Sequence, residues 1–335
     1  MNLVLSVFAV DAHTTGSPIR VITGGIPTLR GKNISEKMED MKKNYDHLRT
    51  CILQPPRGCP SLMCAVLTEP TEPDAHYGLF YMDAGGYQPM CGAGTMAVAK
   101  VLVENGMVPR TGTRTRVLFE TGPGRVAVDV VDLEGGGTRI ELENAPAFLY
   151  AMDQKVSVPQ IGEIQFDLVF GGNFFALVDT AQLGFSICPE TIPRMTSYMP
   201  QIVEAISRNF EVVHPENPAI NYLNEMLFIQ ETQDPDGGYL GQAIFGNAQV
   251  DLSPCGTGTS GRMAQRYFRG RMGLGETFIH KQAYGGIFTG TLLRETAVGG
   301  KPAVIPRISC RDVQITGYNH LIAEAGDRLK YGFSY

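Results

Sequence analysis

Phe80-Tyr81-Met82-Asp83-Ala84-Gly85-Gly86-Tyr87-Gln88-Pro89-Met90-Cys91-Gly92-Ala93-Gly94-Thr95 has a counterpart later in the chain, Ile244-Phe245-Gly246-Asn247-Ala248-Gln249-Val250-Asp251-Leu252-Ser253-Pro254-Cys255-Gly256-Thr257-Gly258-Thr259. Each runs from a strand-like stretch through a polar turn containing Asp into Cys-Gly-x-Gly-Thr, the opening of a helix. One such segment is weak evidence. Two, one in each half, point to an internal repeat and predict two similar domains facing each other across a pseudo-twofold axis.

Length and composition agree. The chain has 335 residues, beyond the roughly 100–200 of one usual domain, so two domains are expected. Hydrophobic residues make up 43% and charged residues 19%, enough apolar material for two cores. A net charge of −6, with no basic cluster longer than Lys42-Lys43, argues against a nucleic-acid surface and for a small-molecule partner. No apolar run approaches the ~20 residues of a membrane span. Met1–Val10 lacks a basic n-region and runs into Asp11 and His13, which reads as a buried first strand. Seven cysteines, an odd number scattered through a long chain, fit reduced thiols in a cytoplasmic protein better than a disulfide framework.

Strand signals recur at Ile19–Thr23, Ser61–Leu67, Gly78–Met82, Arg116–Phe119, Arg125–Val131, Thr138–Leu142, Phe166–Phe170, Phe174–Val178, Tyr239–Phe245, Ile287–Leu293 and Val313–Gly317. Helical periodicity is scarcer and covers Ile34–Leu48, Gly94–Asn105, Pro200–Asn209 and Gly258–Phe268. The pattern is α/β (α+β), with many strands per helix. Leu133-Glu134-Gly135-Gly136-Gly137-Thr138 reads as a hairpin tip, just beyond a domain boundary expected near Thr121-Gly122-Pro123-Gly124.

A thiol in the first turn of a helix meets the positive end of the dipole and several unbonded N–H groups, which favours thiolate. Gly92 and Gly256 clear space beside the sulfurs, and the N–H groups of Gly-x-Gly-Thr form a nest suited to a carboxylate. A carboxylate held by two such nests would place its α-carbon between two sulfurs. Inversion there needs a base on one face and an acid on the other, and Cys91 and Cys255 supply a thiolate and a thiol that exchange roles. The nests would carry the enolate-like charge. No six-residue G-x-G-x-x-G opens a βαβ unit, so a dinucleotide is not expected. There is no Cys-x-x-Cys and the histidines are isolated, which speaks against zinc. Cys59 and Cys64 read as core or loop-edge thiols.

At these residues the sequence resembles the proline racemase family, which includes hydroxyproline 2-epimerases and trans-3-hydroxyproline dehydratases. The resemblance runs along the whole chain, through Asp11-Ala12-His13-Thr14-Thr15-Gly16, Arg20-Val21-Ile22-Thr23-Gly24-Gly25, Pro56-Arg57-Gly58, Asp83-Ala84-Gly85-Gly86-Tyr87, Gly171-Gly172-Asn173-Phe174, Asp251–Thr259 and Phe288-Thr289-Gly290. It implies a diaminopimelate-epimerase-like fold of two pseudo-symmetric domains, each a curved, mostly antiparallel sheet around a central helix. The C-terminal strand would return to the first half. The first half is then 1–121 plus about 312–335 and carries Cys91, the second is 122–311 and carries Cys255, and the site lies in the cleft.

The resemblance also implies catalysis without a cofactor, and a homodimer is common in the family. Backbone N–H groups after each cysteine (Gly94, Thr95, Gly256, Thr257) would hold the substrate carboxylate, with Gly92 and Ala93 beside them. Asp251 would accept from the ring nitrogen, and Phe245 would lie against the ring as in proline-selective members. Dehydratases usually carry Thr at the second cysteine, so Cys255 favours inversion over β-elimination. Four positions depart from the family: Ala93 and Cys59 replace usual histidines, Ser17 a usual acid, and Leu252 a usual arginine. The leading expectation is a racemase of proline or a related cyclic imino acid. The alternatives are a hydroxyproline 2-epimerase or trans-3-hydroxyproline dehydratase, and, in another class, an imino-acid-binding or thiol-redox protein.

Overall fold

The computed structural model describes residues 2–246 and 248–333. The chain divides into two compact units, 1–142 with 311–335, and 143–310.

In the first unit, β1 (Leu3–Thr14) and β2 (Ser17–Gly24) form a hairpin, followed by α1 (Ile34–Leu53). Next come β3 (Met63–Thr68), β4 (Tyr77–Met82), the short β5 (Tyr87–Gln88) and α2 (Gly92–Glu104). The hairpin of β6 (Arg114–Thr121) and β7 (Gly124–Asp132) precedes β8 (Thr138–Glu143), on which the division between units falls. In the second unit, β9 (Phe148–Val158), β10 (Gly162–Phe170) and β11 (Phe174–Asp179) lead to α3 (Ile192–Asn209). β12 (Glu225–Gln233), β13 (Tyr239–Phe245), β14 (Gln249–Val250) and α4 (Gly256–Phe268) follow, then β15 (Thr277–Lys281), β16 (Ile287–Val298) and β17 (Lys301–Cys310). The final strand, β18 (Val313–Glu324), pairs with β1 and so belongs to the first unit.

The repeat seen in the sequence is realised strand by strand. In the first unit β18–β1–β2 are antiparallel, β2–β3 parallel, β3–β4 antiparallel, β4–β6 parallel and β6–β7 antiparallel. In the second unit β9–β10–β11, β11–β12, β12–β13, β13–β15 and β15–β16 repeat those orientations in the same order. Each inner helix follows a two-stranded turn, β4–β5 or β13–β14.

Two helices per unit cover opposite faces of its sheet. On α3, Met195, Met199, Ile202 and Ile206 repeat at helical spacing and pack on Phe148, Phe166, Phe170, Phe174 and Phe228. Burying each such side chain contributes roughly 1.5–3 kcal/mol. On α1, Met41, Leu48 and Ile52 meet Val7, Val66, Phe80 and Met82 in the same way. The other face belongs to α2, buried from Gly92 to Val103, and to α4, which packs against β9, β10, β11, β16 and β17. A bridge between Ala147 and Val304, with both N–H···O bonds at 2.8 Å, ties the last strand of the second unit to the residue before its first.

The boundary differs from the sequence expectation. Thr121 and Gly124 face each other in the ladder, so Gly122-Pro123 is the tip of the β6–β7 hairpin and the first unit runs on to Leu142. A Gly-Pro-Gly stretch is as good a hairpin turn as a linker. The helix expected from Pro200 begins at Ile192, because Pro193 supplies the opening turn and Pro200 is carried inside the helix. Leu133–Thr138 is the expected hairpin tip, with Gly135, Gly136 and Gly137 all at positive φ. No described helix is long and apolar enough to cross a membrane.

Gly171, in the turn between β10 and β11, touches the helix that carries Cys255. A Cβ there would stand 2.1 Å from the Thr257 carbonyl oxygen and 2.5 Å from the Gly261 nitrogen. Both neighbours are backbone and cannot swing aside. Gly171→Ala is expected to lower the unfolding free energy by about 3 kcal/mol, read from the urea midpoint at unchanged m-value.

Candidate active site

In the first unit, the turn after β4 is built on Asp83. Its carboxylate accepts the N–H groups of Gly85 (2.6 Å) and Gly86 (2.8 Å) on one oxygen and Gln88 Nε2 (2.9 Å) on the other. The chain then reaches Cys91, the N-cap of α2, whose Sγ accepts the Gly94 N–H at 3.3 Å. Thr95 donates both its N–H and its hydroxyl to the Cys91 carbonyl, each at 2.8 Å, and its Oγ1 lies 2.7 Å from the Tyr81 hydroxyl. Gly94 has to be glycine, since a Cβ there would lie 2.5 Å from Tyr81 Cε1. Ala93 is buried, and its carbonyl accepts the Thr14 hydroxyl at 2.9 Å.

The second unit repeats this arrangement. Cys255 is the N-cap of α4, its Sγ accepts the Gly258 N–H at 3.3 Å, and the Thr259 N–H reaches the Cys255 carbonyl at 2.8 Å. Its approach loop is likewise fixed by hydrogen bonds. Asp251 Oδ1 accepts the Ser253 N–H and hydroxyl, both at 2.8 Å, and Ser253 Oγ in turn accepts the Cys255 N–H at 3.1 Å. Gln242 and Gln282 donate to the carbonyls of Asp251 (2.7 Å) and Leu252 (2.9 Å). Cys255 itself has φ +65°, against −138° for Cys91. Holding a cysteine there costs on the order of 1–3 kcal/mol, and such strain gathers at functional sites.

Helix-start chemistry predicted a lowered pKa for both thiols. At Cys255 the direction is opposite: burial pushes the thiol well up, and the carboxylates of Asp251 and Glu225 push it further. The Thr257 hydroxyl, 3.5 Å from the sulfur, and the Gly258 N–H oppose them with less effect. Desolvation thus outweighs the helix start, and Cys255 is a thiol in the substrate-free protein. Burial also raises Asp251 to about 6, against the lowering effect of its Ser253 and Cys255 bonds. His280, 2.6 Å from Thr259 Oγ1, is driven down to about 3 by burial and then by Arg262, and is neutral.

The structure gathers Gly92, Ala93, Gly94 and Thr95 with Cys91, and Gly256, Thr257, Asp251 and half-buried Phe245 on the Cys255 side of the second unit. One expected assignment changes. The N–H groups of Gly94 and Thr95 already point at the Cys91 sulfur and carbonyl, so the donors that the opening turn of α2 can offer a ligand are Gly92 and Ala93. Gly256 and Thr257 hold the same first two positions in α4. Sequence reasoning missed Glu225, only 3% exposed and paired with Phe245 across the β12–β13 ladder. The alternation Glu225, Leu227, Ile229 was the available signal, since it puts a carboxylate on an apolar inward face. Cys51, Cys64 and Cys310 are buried thiols and Cys59 is exposed; none of the seven cysteines is in a disulfide.

A family model described as proline racemase matches residues 9–334. A proline racemase of Clostridioides difficile is 37% identical over 333 residues, covering 99% of both chains. A trans-3-hydroxy-L-proline dehydratase of Colwellia psychrerythraea is 33% identical over 329 residues, covering 98% of this chain and 92% of the relative. Among solved structures, a hydroxyproline epimerase from Agrobacterium vitis with bound trans-4-hydroxy-L-proline superposes with a TM-score of 0.95 at 30% identity, over 100% of this chain and 96% of that one.

The raised carboxyl of Asp251 gives a stability signature. Below its ordinary value of 3.8 it is protonated in both folded and unfolded chains and contributes nothing. As pH rises from there through about 6, the unfolded chain ionises first and native stability falls; above that the loss is constant. Asp251→Asn, which keeps an acceptor for Ser253, is expected to remove this fall. Its stability relative to the unsubstituted protein should rise between pH 4 and about 6.5 and then level off, as urea titrations across that range will read.

Proposed function

Since the chain belongs to the proline racemase family, we propose that it inverts the α-carbon of proline, or of a closely related cyclic imino acid, with Cys91 and Cys255 as paired base and acid. One observation carries this: the same N-cap thiol, holding the same i+3 amide at 3.3 Å, stands at the start of the inner helix in both units.

The chemistry follows from that duplication. The substrate carboxylate takes the free donors of the two opening turns, and its α-carbon lies between the sulfurs. The thiolate removes the α-hydrogen as a proton and becomes a thiol, and the electron pair passes into the carboxylate, where backbone N–H groups stabilise it. The opposite thiol delivers its proton to the other face and becomes the thiolate. Each turnover therefore leaves the pair with its roles exchanged, ready for the opposite enantiomer. Asp251 accepts from the ring nitrogen, and Phe245 offers the ring an apolar wall. Ala93, without a polar side chain, supplies no partner for a ring hydroxyl, which favours the unsubstituted ring.

A second reading, 2-epimerisation of hydroxyproline, draws support from the epimerase that binds trans-4-hydroxy-L-proline and superposes closely on this chain. The reaction at the α-carbon is the same, and a substrate panel separates the two.

Incubation with L-proline in deuterated water is expected to give D-proline and α-deuterium, followed by chiral chromatography and mass spectrometry. Cys91→Ser and Cys255→Ser should each lower the rate by about 100-fold or more. Absence of exchange with proline and with 3- and 4-hydroxyproline rejects the proposal. Release of a cyclic imine from trans-3-hydroxyproline, with Cys255→Ser still active, would assign dehydration instead.

A further inference from the structure

The two units differ in what the sheet presents beside the sulfur. Phe245 and Tyr81 each stand ten residues ahead of their cysteine. Opposite Tyr81 across the ladder is Ala65; opposite Phe245 is Glu225, which also neighbours Phe175 on the parallel side. Alternation along β12 puts Glu225 on the face of Leu227 and Ile229, and these pack in one cluster with Phe175, Val169 and Cys255. Glu225 is 3% exposed, and its Oε1 accepts Asn173 Nδ2 at 2.8 Å. Cys255 is 7% exposed, whereas Cys91 is only half-buried.

We propose that Glu225 is a positioning residue for the proton transfer: facing Cys255 from β12, it joins Asp251 in keeping the proton on that sulfur, so the substrate-free enzyme starts with Cys255 as acid and Cys91 as base. This rests on the racemase reading and adds a polarity to it. The enantiomer whose α-hydrogen points at Cys91 is accepted first.

The surroundings of Cys255 support this polarity. A carboxylate close to a sulfur in a water-poor setting repels the thiolate and leaves the thiol untouched. Among the described residues, the other titratable groups packed about this helix are differently engaged. His280 on β15 is neutral. Arg262, farther along α4, is bound to Glu231 at 2.9 Å, and Asp179 on β11 lies in its field. Asp167 on β10 is tied to Gln265 at 2.6 Å and Arg269 at 2.8 Å near the end of α4. Asp251 and Glu225 are the carboxylates that act on the sulfur.

The test uses the full-length, substrate-free protein labelled with 13Cβ-cysteine, with the Cys255 resonance assigned by Cys255→Ser and followed by NMR against pH. Glu225→Gln keeps an acceptor for Asn173 and removes the charge; Glu225→Asp keeps the charge. In Glu225→Gln the Cys255 midpoint is expected to fall by about one pH unit or more while that of Cys91 stays in place. In Glu225→Asp it should return toward the original value. Equal Cys255 midpoints in the unsubstituted protein and Glu225→Gln overturn the proposal, as does an equal fall in the Gln and Asp variants, which would mark a packing role. The titration is readable whether or not any imino acid turns over. Failure of the racemase reading, seen as absent α-deuterium exchange, is therefore a separate result.

Discussion

A cysteine sulfur that accepts the amide three residues ahead of it is the contact on which each unit depends. An inner helix surrounded by sheet cannot borrow partners for its first N–H groups, because the strands spend theirs on their own ladders. The sulfur satisfies one donor and leaves two ahead of it for a ligand. Glycine in the third helical position is what lets the chain turn there, against Tyr81 in one unit and against Cys255 itself in the other. The apolar length of α2 and the buried length of α4 then hold that opening turn in place.

The same contact does not by itself set the chemistry of Cys255. A helix terminus is worth about 0.3–1 kcal/mol to a charge near it, reaching about 2 in partly buried geometry. Full burial can move a pKa by about 3–5 units, several kcal/mol. Where a thiol is as enclosed as Cys255, burial wins, and two neighbouring carboxylates act in the same direction. A symmetric fold thus supports an asymmetric pair, and the strained backbone at Cys255 lies on the more enclosed side.

Local chemistry was legible from sequence and long-range surroundings were not. The Cys-Gly-x-Gly-Thr blocks announced both inner helices to within two residues, because cap, glycines and apolar periodicity lie within one short stretch. The triple-glycine hairpin tip was equally local. β17 was not found, since Pro302 and Pro306 break its strand signal; a register shift between Leu292 and Arg294 accommodates the second of them in the ladder. The boundary was misplaced because Gly122-Pro123 serves a turn as readily as a linker. Nor could the sign of the effect at Cys255 be read, since Glu225 lies thirty residues upstream and reaches the sulfur only through strand pairing.

The late return of β18 to β1 orders the birth of the molecule. The second unit is one continuous segment, complete once β17 has left the ribosome. The first has most of its strands much earlier, yet one edge of β1 has no partner until the last strand is synthesised. Through that interval an eight-residue hairpin partner covers only one side of β1, and Phe8, still half exposed at 53% in the finished fold, stands beside an open ladder. The nascent chain is thus open to wrong pairing along β1, and the unit begun before the other is finished after it.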